Sequence, residues 1–450
     1  MRRLRAALAS GLARLSAVML RILGRGATSL PGRLMLAIDP QAIEERAAAL
    51  AQGTIVVSAT NGKTTTCSLL AEMLEAGGYQ PVHNRAGANM AGGVASALLS
   101  QHGDIGLFEV DEFWLDGLVG QLEPRVAVLG NLFRDQLDRY GELETILSRW
   151  SKLAGSGDVG RLVLNADDPS IAGLGEGAPN PLYFGIIDPG VATGAPQHAS
   201  EQVSCPACGS GLRYAGWYLG HLGDYACERC DWSRPVAEVS ASGVELRGLA
   251  GTAFDLHLGK HVERVSTPLP GLYNVYNALG AAAGALALGI SPEAITGAIG
   301  GATAVFGRAE IVRVGRRDCS ILLVKNPAGA NEVFRTVALE PGRHDMLFVL
   351  NDLIADGRDV SWIWDADFEE LAGQVASVTC SGTRAVEMAL RLKYAGVPPG
   401  AISIVEDLPD ALSAAARGDG ERLLAFPTYT AMLELREFLV DEGAARESFA

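Results

Sequence analysis

The sequence predicts an α/β protein with a nucleotide-binding domain, a small metal-binding insert and a second α/β domain. Three observations carry this prediction. A β-branched strand runs into a glycine-lysine loop at residues 54–66. Apolar strands alternate with helical segments over residues 54–195 and again from about residue 319, which is typical of parallel sheets covered by helices. Two C-x-x-C pairs lie between these two regions.

The loop at residues 59–66 reads Ala-Thr-Asn-Gly-Lys-Thr-Thr-Thr and directly follows the predicted strand. Gly62 lets the backbone approach a phosphate closely, and the amides at the start of the next helix point towards the anion. Lys63 supplies a positive charge, and the hydroxyl of Thr64 is placed to hold Mg²⁺. A glycine turn beside a surface lysine is the alternative interpretation. The strand before the loop and the threonines after it favour a nucleoside triphosphate site.

Composition limits the function classes. The chain has 450 residues, enough for two or three domains, and a formal net charge of -15. This acidic balance argues against a nucleic-acid-binding protein. No segment is long and apolar enough to span a bilayer, and arginines interrupt the only candidate signal sequence. We therefore expect a cytoplasmic protein, with contact to the inner face of the plasma membrane left open.

Residues 1–50 form a basic amphipathic segment, and this segment is the reason that contact with the membrane is left open. Arg2, Arg3, Arg5, Arg14, Arg21, Arg25 and Arg33 in it interleave with Leu4, Leu8, Leu12, Leu15, Met19, Leu20 and Ile22. One interpretation is peripheral contact with an anionic membrane surface. The other, more common use of such a pattern is a helix that packs its leucine face on the next domain.

The insert at residues 200–235 has the spacing of a zinc ribbon. Cys205 and Cys208 form one knuckle, Cys227 and Cys230 form the other, and a glycine-rich, aromatic stretch separates them. Four cysteine ligands leave no open coordination position, so the sequence predicts a structural Zn²⁺ that stabilises a module too small for its own core. Four unligated thiols in a loop are the alternative.

The order of motifs resembles the Mur ligase superfamily, which uses ATP to activate a carboxylate as an acyl phosphate before attack by an amine. The matches that follow the loop are Glu109, the segments 131–138, 165–169 and 271–277, and the linker 306–310. The resemblance implies a Mur ligase central ATPase domain at residues 51–305, with the zinc ribbon inserted at 200–235. A C-terminal Mur ligase-like α/β domain then occupies residues 306–450.

The same resemblance implies roles for individual residues. The ATP-binding set is Thr60, Asn61, Gly62, Lys63, Thr64, Thr65, Asn274 and Arg308, in which Asn274 lies near the adenine and Arg308 reaches the phosphates. The Mg²⁺ ligands are Thr64 and Glu109, and Lys63 and Glu109 act in catalysis. Simpler alternatives are that Asn131 caps a turn, that Asn277 caps a helix, and that Arg308 pairs with Glu310 on the surface.

Two family features are in doubt. Gln136 stands where the superfamily has a histidine, and Lys152 lies in the region of its carbamylated lysine but is better interpreted as a solvated helix residue.

Two differences from most Mur ligases indicate which members of the superfamily the chain resembles most. Only 53 residues precede the loop strand, so a separate uridine-nucleotide domain is missing, and the zinc ribbon is extra. Both features resemble the synthetase subunits of lipid II isoglutaminyl synthase. That resemblance implies ATP-dependent amidation of the D-glutamate α-carboxyl in the lipid II stem peptide. The ammonia would come from a separate GatD-type glutamine amidotransferase subunit.

An aspartate of the second domain is expected to complete the Cys-His pair of this glutaminase across the interface. Asp359 and Asp356 in the turn Asp-Gly-Arg-Asp are the candidates, with Asp365 third, and local capping of backbone amides is the alternative. Two other functions stay open. One is a folylpolyglutamate synthase-like or peptide-stem ligase that adds an amino acid, and the other is a nucleotide-gated scaffold.

Overall fold

A computed structural model describes residues 2–22, 28–84, 87–134, 143–197, 203–302 and 308–443. Its main feature is a nine-stranded sheet of order β11-β10-β9-β6-β5-β4-β1-β3-β2. The parallel strands are β1 (Thr54–Ser58), β2 (Pro81–His83), β3 (Ile105–Glu109), β4 (Val126–Leu129), β5 (Arg161–Asn165) and β6 (Leu182–Ile186). They are continuous apolar runs because helices cover both faces of the sheet.

The first eight α-helices described flank or precede this sheet. They are α1 (Arg2–Ile22), α2 (Leu30–Ile38), α3 (Ala42–Ala47), α4 (Lys63–Ala76), α5 (Ala91–Ser100), α6 (Leu115–Leu122), α7 (Leu143–Ser156) and α8 (Pro169–Gly173). Strand β1 lies between β3 and β4, in parallel register with both. The carboxyl ends of these three strands therefore meet at one edge of the sheet, where open α/β sheets bind their ligands.

Three more strands extend the sheet and were not predicted from the sequence: the first pairs in parallel with β6, and the other two follow in antiparallel pairing. They are β9 (Val239–Leu246), β10 (Thr252–Leu258) and β11 (His261–Thr267). Exposed residues interrupt the apolar pattern of β11, so this edge strand lacks the continuous run that marks the parallel strands. Helices α9 (Leu272–Ala287) and α10 (Pro292–Gly301) follow and pack on the sheet.

The cysteine-containing insert forms a separate hairpin of β7 (Leu212–Leu219) and β8 (Leu222–Cys227). Tyr214 and Trp217 stack in it with ring centroids 3.6 Å apart. A buried ion pair connects the insert to the central sheet, because Nε of Arg234 lies 2.5 Å from Oδ1 of the fully buried Asp167. The hairpin is thus held in place by this contact with the central domain as well as by the cysteine cluster of the insert.

The C-terminal region forms a second, six-stranded sheet of order β12-β13-β17-β14-β15-β16. Its strands are β12 (Arg308–Val314), β13 (Arg317–Leu322), β14 (His344–Val349), β15 (Val375–Ser381), β16 (Ile402–Ile404) and β17 (Leu423–Pro427). Its helices are α11 (Pro327–Val337), α12 (Ala385–Tyr394), α13 (Leu408–Ala415) and α14 (Tyr429–Asp441). Phe348 and Phe426 stack at its centre, 4.5 Å apart.

Helix α1 does pack against its neighbours, but not through the leucine face that the sequence suggested. Its buried face consists of the alanines Ala9, Ala13 and Ala17, whereas Leu4, Leu8, Leu12 and Leu15 are exposed. Small side chains allow the close approach of the N-terminal helices, since a Cβ on Gly32 of α2 would lie only 2.0 Å from the carbonyl of Gly92. Among the residues described, no helix is long and apolar enough to cross a bilayer.

Candidate functional site

The glycine-lysine loop joins β1 to α4 at the carboxyl edge of the central sheet. Gly62 has a φ of +90°, and a Cβ at this position would lie 1.9 Å from Oδ1 of Asn277. Only glycine satisfies both the left-handed backbone and this close approach. Thr64 and Thr65 lie in the first turn of α4, which begins at Lys63. The amides of this turn therefore face the end of the sheet, as phosphate binding requires.

Side chains that follow β4 hold the loop in place. The amide nitrogen of Asn61 donates to Oδ1 of Asn131 at 2.9 Å, and Nδ2 of Asn131 donates back to the carbonyl of Asn61 at 3.0 Å. Oγ1 of Thr60 accepts from the backbone of Phe133 at 3.1 Å. Asn131 therefore braces the loop itself rather than a separate turn, and the loop is preorganised for its ligand.

Lys63 is buried and forms an ion pair with Glu112, with Nζ 2.8 Å from Oε2. Burial opposes its charge, but the carboxylates of Glu112, Glu109 and Asp111 outweigh burial and raise the pKa of Lys63. Burial likewise opposes the charge on Glu112, and the neighbouring lysine charges lower its pKa below the usual value. Both groups are therefore charged at neutral pH. The sequence analysis did not single out Glu112, although it lies only three residues beyond Glu109.

Glu109 ends strand β3 and lies beside the loop strand. Its Oε1 accepts from Nδ2 of Asn89 at 3.5 Å, whereas its buried Oε2 has no hydrogen-bond partner among the residues described. Buried polar atoms are rarely left in this state unless a ligand or an ion completes them. Carboxylate and hydroxyl oxygens suit Mg²⁺. Oε2 of Glu109 and the hydroxyl of Thr64, in the first turn of α4, are thus oxygen donors of the kind that suits a magnesium ion.

The two asparagines of α9, Asn274 and Asn277, differ in their contact with the phosphate-binding loop. The helix begins at Leu272, so Asn277 lies within the helix and does not cap it. Oδ1 of Asn277 faces Gly62, and its Nδ2 donates to Asn274 at 2.9 Å. Asn274 donates to the carbonyl of Pro270 at 2.7 Å. Asn274 therefore lies behind Asn277, and it is Asn277 that lies beside the phosphate-binding loop.

The C-terminal domain closes over the loop. Asn326 and Asn61 exchange two side-chain hydrogen bonds, at 3.0 and 3.2 Å, and Nζ of Lys325 donates to the carbonyl of Thr60 at 3.3 Å. Asn326 also caps α11 by accepting from the backbone of Gly329. The nucleotide loop is thus part of the contact between the two domains.

The four insert cysteines converge on one point. Their ligand atoms all lie within 4.8 Å of one another, and the Sγ pairs Cys205–Cys230 and Cys208–Cys227 are 3.7 and 3.4 Å apart. Tetrahedral zinc with Zn–S bonds of about 2.3 Å separates sulfurs by about 3.8 Å. The cluster fits a metal ion.

The two aspartates of the 356–359 turn differ in environment. Both carboxylate oxygens of Asp356 accept hydrogen bonds from Thr430, and burial raises its pKa. Asp359 is exposed, and its Oδ1 accepts from the backbone of Ser361 at 2.8 Å; hydrogen bonding from the side chain and the backbone of Ser361 lowers the pKa of Asp359. Asp356 is thus occupied inside the domain, whereas Asp359 presents an ionised carboxylate to the surface. Asp365, the third candidate, is half-exposed and pairs with Arg134.

Lys152 is exposed on α7. Gln136 lies outside the residues described, as does the side chain of Arg308, whose backbone begins β12. Glu310, the proposed surface partner of Arg308, lies 3.8 Å from a guanidinium nitrogen of Arg436.

Family models match two parts of the chain. One described as the Mur ligase middle domain matches residues 57–203, and one described as the MurT ligase C-terminal matches residues 323–432. The lipid II isoglutaminyl synthase (glutamine-hydrolyzing) subunit MurT of Streptococcus pneumoniae is 33% identical over 440 residues, 94% of this chain and 95% of that protein. Its Staphylococcus aureus counterpart is 32% identical over 438 residues, 95% of this chain and 96% of that protein.

The chain belongs to the MurT family. It is therefore an ATP-dependent ligase, and the predicted α/β Mur ligase fold with a C-terminal domain is confirmed.

Solved structures place the MurT-family fold among the Mur ligases. A pseudomurein peptide ligase type C from Methanothermus fervidus superimposes with a TM-score of 0.67 at 22% identity, covering 87% of this chain and 79% of that one. MurF ligase from Thermotoga maritima, solved in complex with ADP, superimposes with a TM-score of 0.61 at 14% identity, covering 90% and 84%. At these identities the likeness concerns the fold.

Proposed function

We propose that this MurT-family protein is the synthetase subunit of a lipid II isoglutaminyl synthase. It amidates the α-carboxyl of D-glutamate in the lipid II stem peptide to D-isoglutamine in peptidoglycan biosynthesis. The observation that carries this proposal is the 33% identity to a named subunit of that enzyme over 94% of the chain. The braced loop, the buried lysine and the incompletely bonded carboxylate of Glu109 support it.

The reaction has two steps. First, a carboxylate oxygen of the peptide attacks the terminal phosphorus of ATP, and the bond to ADP breaks to leave an acyl phosphate. Ammonia then attacks the acyl carbon, the bond to the phosphate oxygen breaks, and the nitrogen loses a proton. One carboxylate, one ATP and one ammonia thus give one amide, ADP and inorganic phosphate.

The residues of the loop act mainly by position and charge. The loop backbone from Thr60 to Thr65 binds the phosphates, and Lys63 exchanges part of its contact with Glu112 for the terminal phosphate. Thr64 and Glu109 would hold Mg²⁺, which would neutralise charge on the transferred phosphoryl group. Asn277 stays beside Gly62 and keeps the loop in its phosphate-binding shape.

Ammonia comes from a GatD-type glutaminase that binds the C-terminal domain near Asp359. Outside the metal cluster, the three cysteines Cys67, Cys319 and Cys380 are buried, so none offers an accessible glutaminase nucleophile. Large apolar side chains are exposed on the same domain, among them Ile354 at 74% and Tyr394 at 70%. Exposed apolar surface of this kind marks protein interfaces. Asp359 completes the partner's Cys-His pair from this side.

Helix α1 brings the enzyme to the membrane that carries lipid II. The first 38 residues contain seven arginines and no acidic residue, in a chain whose net charge is -15. The exposed leucines of α1 supply an apolar face for the lipid boundary, and the arginines suit anionic headgroups. The protein therefore works in the cytoplasm at the inner face of the membrane.

Reconstitution tests the proposed reaction. The purified chain with its glutaminase partner, lipid II, Mg-ATP and glutamine should yield an amidated stem peptide, detected by mass spectrometry as a loss of about 1 Da. Lys63→Ala should abolish this product, because the transferred phosphoryl group loses its buried cation. Lys152→Ala, which removes an exposed lysine, is the matched control. Turnover with an amino acid but not with ammonia or glutamine would contradict the proposal.

A further inference from the structure

Helix α11 of the C-terminal domain contacts the insert as well as the phosphate-binding loop. Nη1 of Arg335 donates to the carbonyl of Tyr218 at 2.9 Å, and its Nη2 donates to the carbonyl of Val191 at 2.8 Å. We propose that the insert hairpin sets the closed orientation of the C-terminal domain, and that Arg335 is the positioning residue that holds the domain there. This inference rests on the proposed function, because closure serves that same reaction.

The two carbonyls that Arg335 binds belong to one folded unit. Tyr218 lies in β7, and the neighbouring Trp217 forms an antiparallel bridge with Thr193, whose amide donates to the carbonyl of Trp217 at 2.7 Å. Val191 lies just before Thr193. A guanidinium presents its donors in a fixed, planar fork. Arg335 therefore makes both bonds only while this unit keeps its folded spacing.

A second contact on the same face of α11 joins the helix to the tip of the hairpin. Oε1 of Glu332 accepts from Nε2 of Gln197 at 3.1 Å, and Oε1 of Gln197 accepts from the backbone of Gly220 at 2.9 Å. Residues three apart share a helix face, and Oε1 of Glu332 lies 3.9 Å from Nη1 of Arg335. The insert thus contacts one face of α11 at two neighbouring points.

The hairpin is itself fixed to the central domain. The ring of His221 lies 4.9 Å from that of Phe133, and its Nε2 lies 3.2 Å from Oδ2 of the buried Asp168. The buried pair of Arg234 with Asp167 holds the other end of the insert. The hairpin therefore forms a fixed surface of the central domain, against which the C-terminal domain rests.

Helix α11 is attached to the central domain near both of its ends. Asn326, which caps its first turn, bonds with Asn61 of the loop, whereas Arg335 lies in its last turn. The helix has 11 residues, so it is about 16 Å long and the two attachments are well separated. Just beyond it, Oε1 of Glu340 accepts from the backbone of Leu249 at 2.6 Å. A single attachment would let the domain turn about it, whereas separated attachments fix its orientation.

The fraction of molecules in the closed orientation should depend on the two bonds of Arg335. Hydrogen bonds from a charged donor are about twice as strong as neutral ones. When both are lost, part of the population opens. Only closed molecules bring the C-terminal domain to the phosphate-binding loop, so the measured activity falls with the closed fraction.

X-ray scattering and kinetics of the full chain test the role of Arg335. Arg335→Met keeps the aliphatic stem but removes both bonds to the insert. With Mg²⁺ and the imido analogue of ATP, we expect its radius of gyration to exceed the native value, about 22 Å for a compact chain of this length, by at least about 1 Å. In amidation with ammonium chloride, kcat/KM for ATP should fall at least about tenfold.

Two further variants serve as controls. Arg335→Lys keeps a charge that can reach one carbonyl, so it should restore part of both losses. Arg313→Met, which removes an exposed arginine from β12 of the same domain, should match the native chain in both measurements.

The scattering result separates this inference from the proposed function. A folded Arg335→Met protein with the native radius of gyration would overturn the inference, whatever the native chain does with lipid II. Native kcat/KM in an expanded Arg335→Met protein would also overturn it. A radius of gyration that depends on Arg335, in a chain that does not amidate lipid II, would overturn the proposed function alone.

Discussion

The ion pair of Lys63 and Glu112 keeps a buried lysine charged before its ligand arrives. Breaking a buried pair leaves one charge uncompensated, at a cost of about 3–5 kcal/mol. Glu112→Ala should therefore lower the free energy of unfolding by about that amount in urea titrations. Mg-ATP should stabilise the variant more than the native chain, because phosphate replaces the missing carboxylate. Asp116→Ala, which removes an exposed carboxylate on α6, should have little effect on the free energy of unfolding.

Asp359 should separate the two sources of ammonia. Asp359→Asn removes the charge that orients a partner histidine, so glutamine-dependent amidation should fall at least about 100-fold. Amidation with added ammonium chloride should stay near the native rate, because the synthetase site is untouched. Product formation is measured with each nitrogen source. Asp365→Asn is the matched control, and an equal loss with both nitrogen sources in Asp359→Asn would reject the assignment.

At the scale of elements, the insert should depend on its metal. We expect about one zinc ion per chain by elemental analysis, and none after Cys208→Ser. Structural zinc sites contribute about 10–16 kcal/mol of binding free energy to small modules, so the variant should lose the insert fold and unfold at a lower temperature. Cys380→Ala, at a buried position outside the cluster, should retain the zinc. A metal-free native protein with an intact fold would refute the zinc site.

Helix α1 should bind anionic vesicles. Leu8 and Leu15 are 55% and 57% exposed, so replacing both with glutamate should leave the fold intact while removing apolar contact and adding repulsion. Co-sedimentation with phosphatidylglycerol vesicles should fall by about tenfold or more, and salt should weaken native binding. Leu433→Glu, at an exposed leucine of α14, is the control. Equal sedimentation of the native chain with neutral and anionic vesicles would argue against the proposed electrostatic contact.

At the scale of the whole molecule, the Asn61–Asn326 pair links domain closure to the nucleotide loop. Asn326→Ser keeps a good helix cap but is too short to reach Asn61. Two lost hydrogen bonds correspond to about 1–2 kcal/mol, so the KM for ATP should rise about five- to thirtyfold. The unfolding midpoint should hardly change, since the cap remains. An unaltered KM would show that closure does not depend on this pair.

Some strands of the sheets and some residues of the site could be predicted from the sequence, and others could not. The parallel strands β1, β3 and β4 were recognisable because strands buried on both faces are continuous apolar runs. The strands β9, β10 and β11 were missed because polar residues interrupt their apolar runs, such as Asp255 and His257 in β10. For Asn277 the sequence suggested only a helix cap, because only the three-dimensional path of α9 places its side chain beside Gly62.

By itself, the sequence determined the loop, the four-cysteine cluster and the Mur ligase order of motifs, because these depend on short local spacings. The tertiary structure decided which charged groups meet: Lys63 with Glu112 across the end of the sheet, and Asn61 with Asn326 between domains. It also placed the insert hairpin against Arg335 of α11, and turned the alanine face of α1 inward. These contacts join residues distant in sequence, so no local pattern records them.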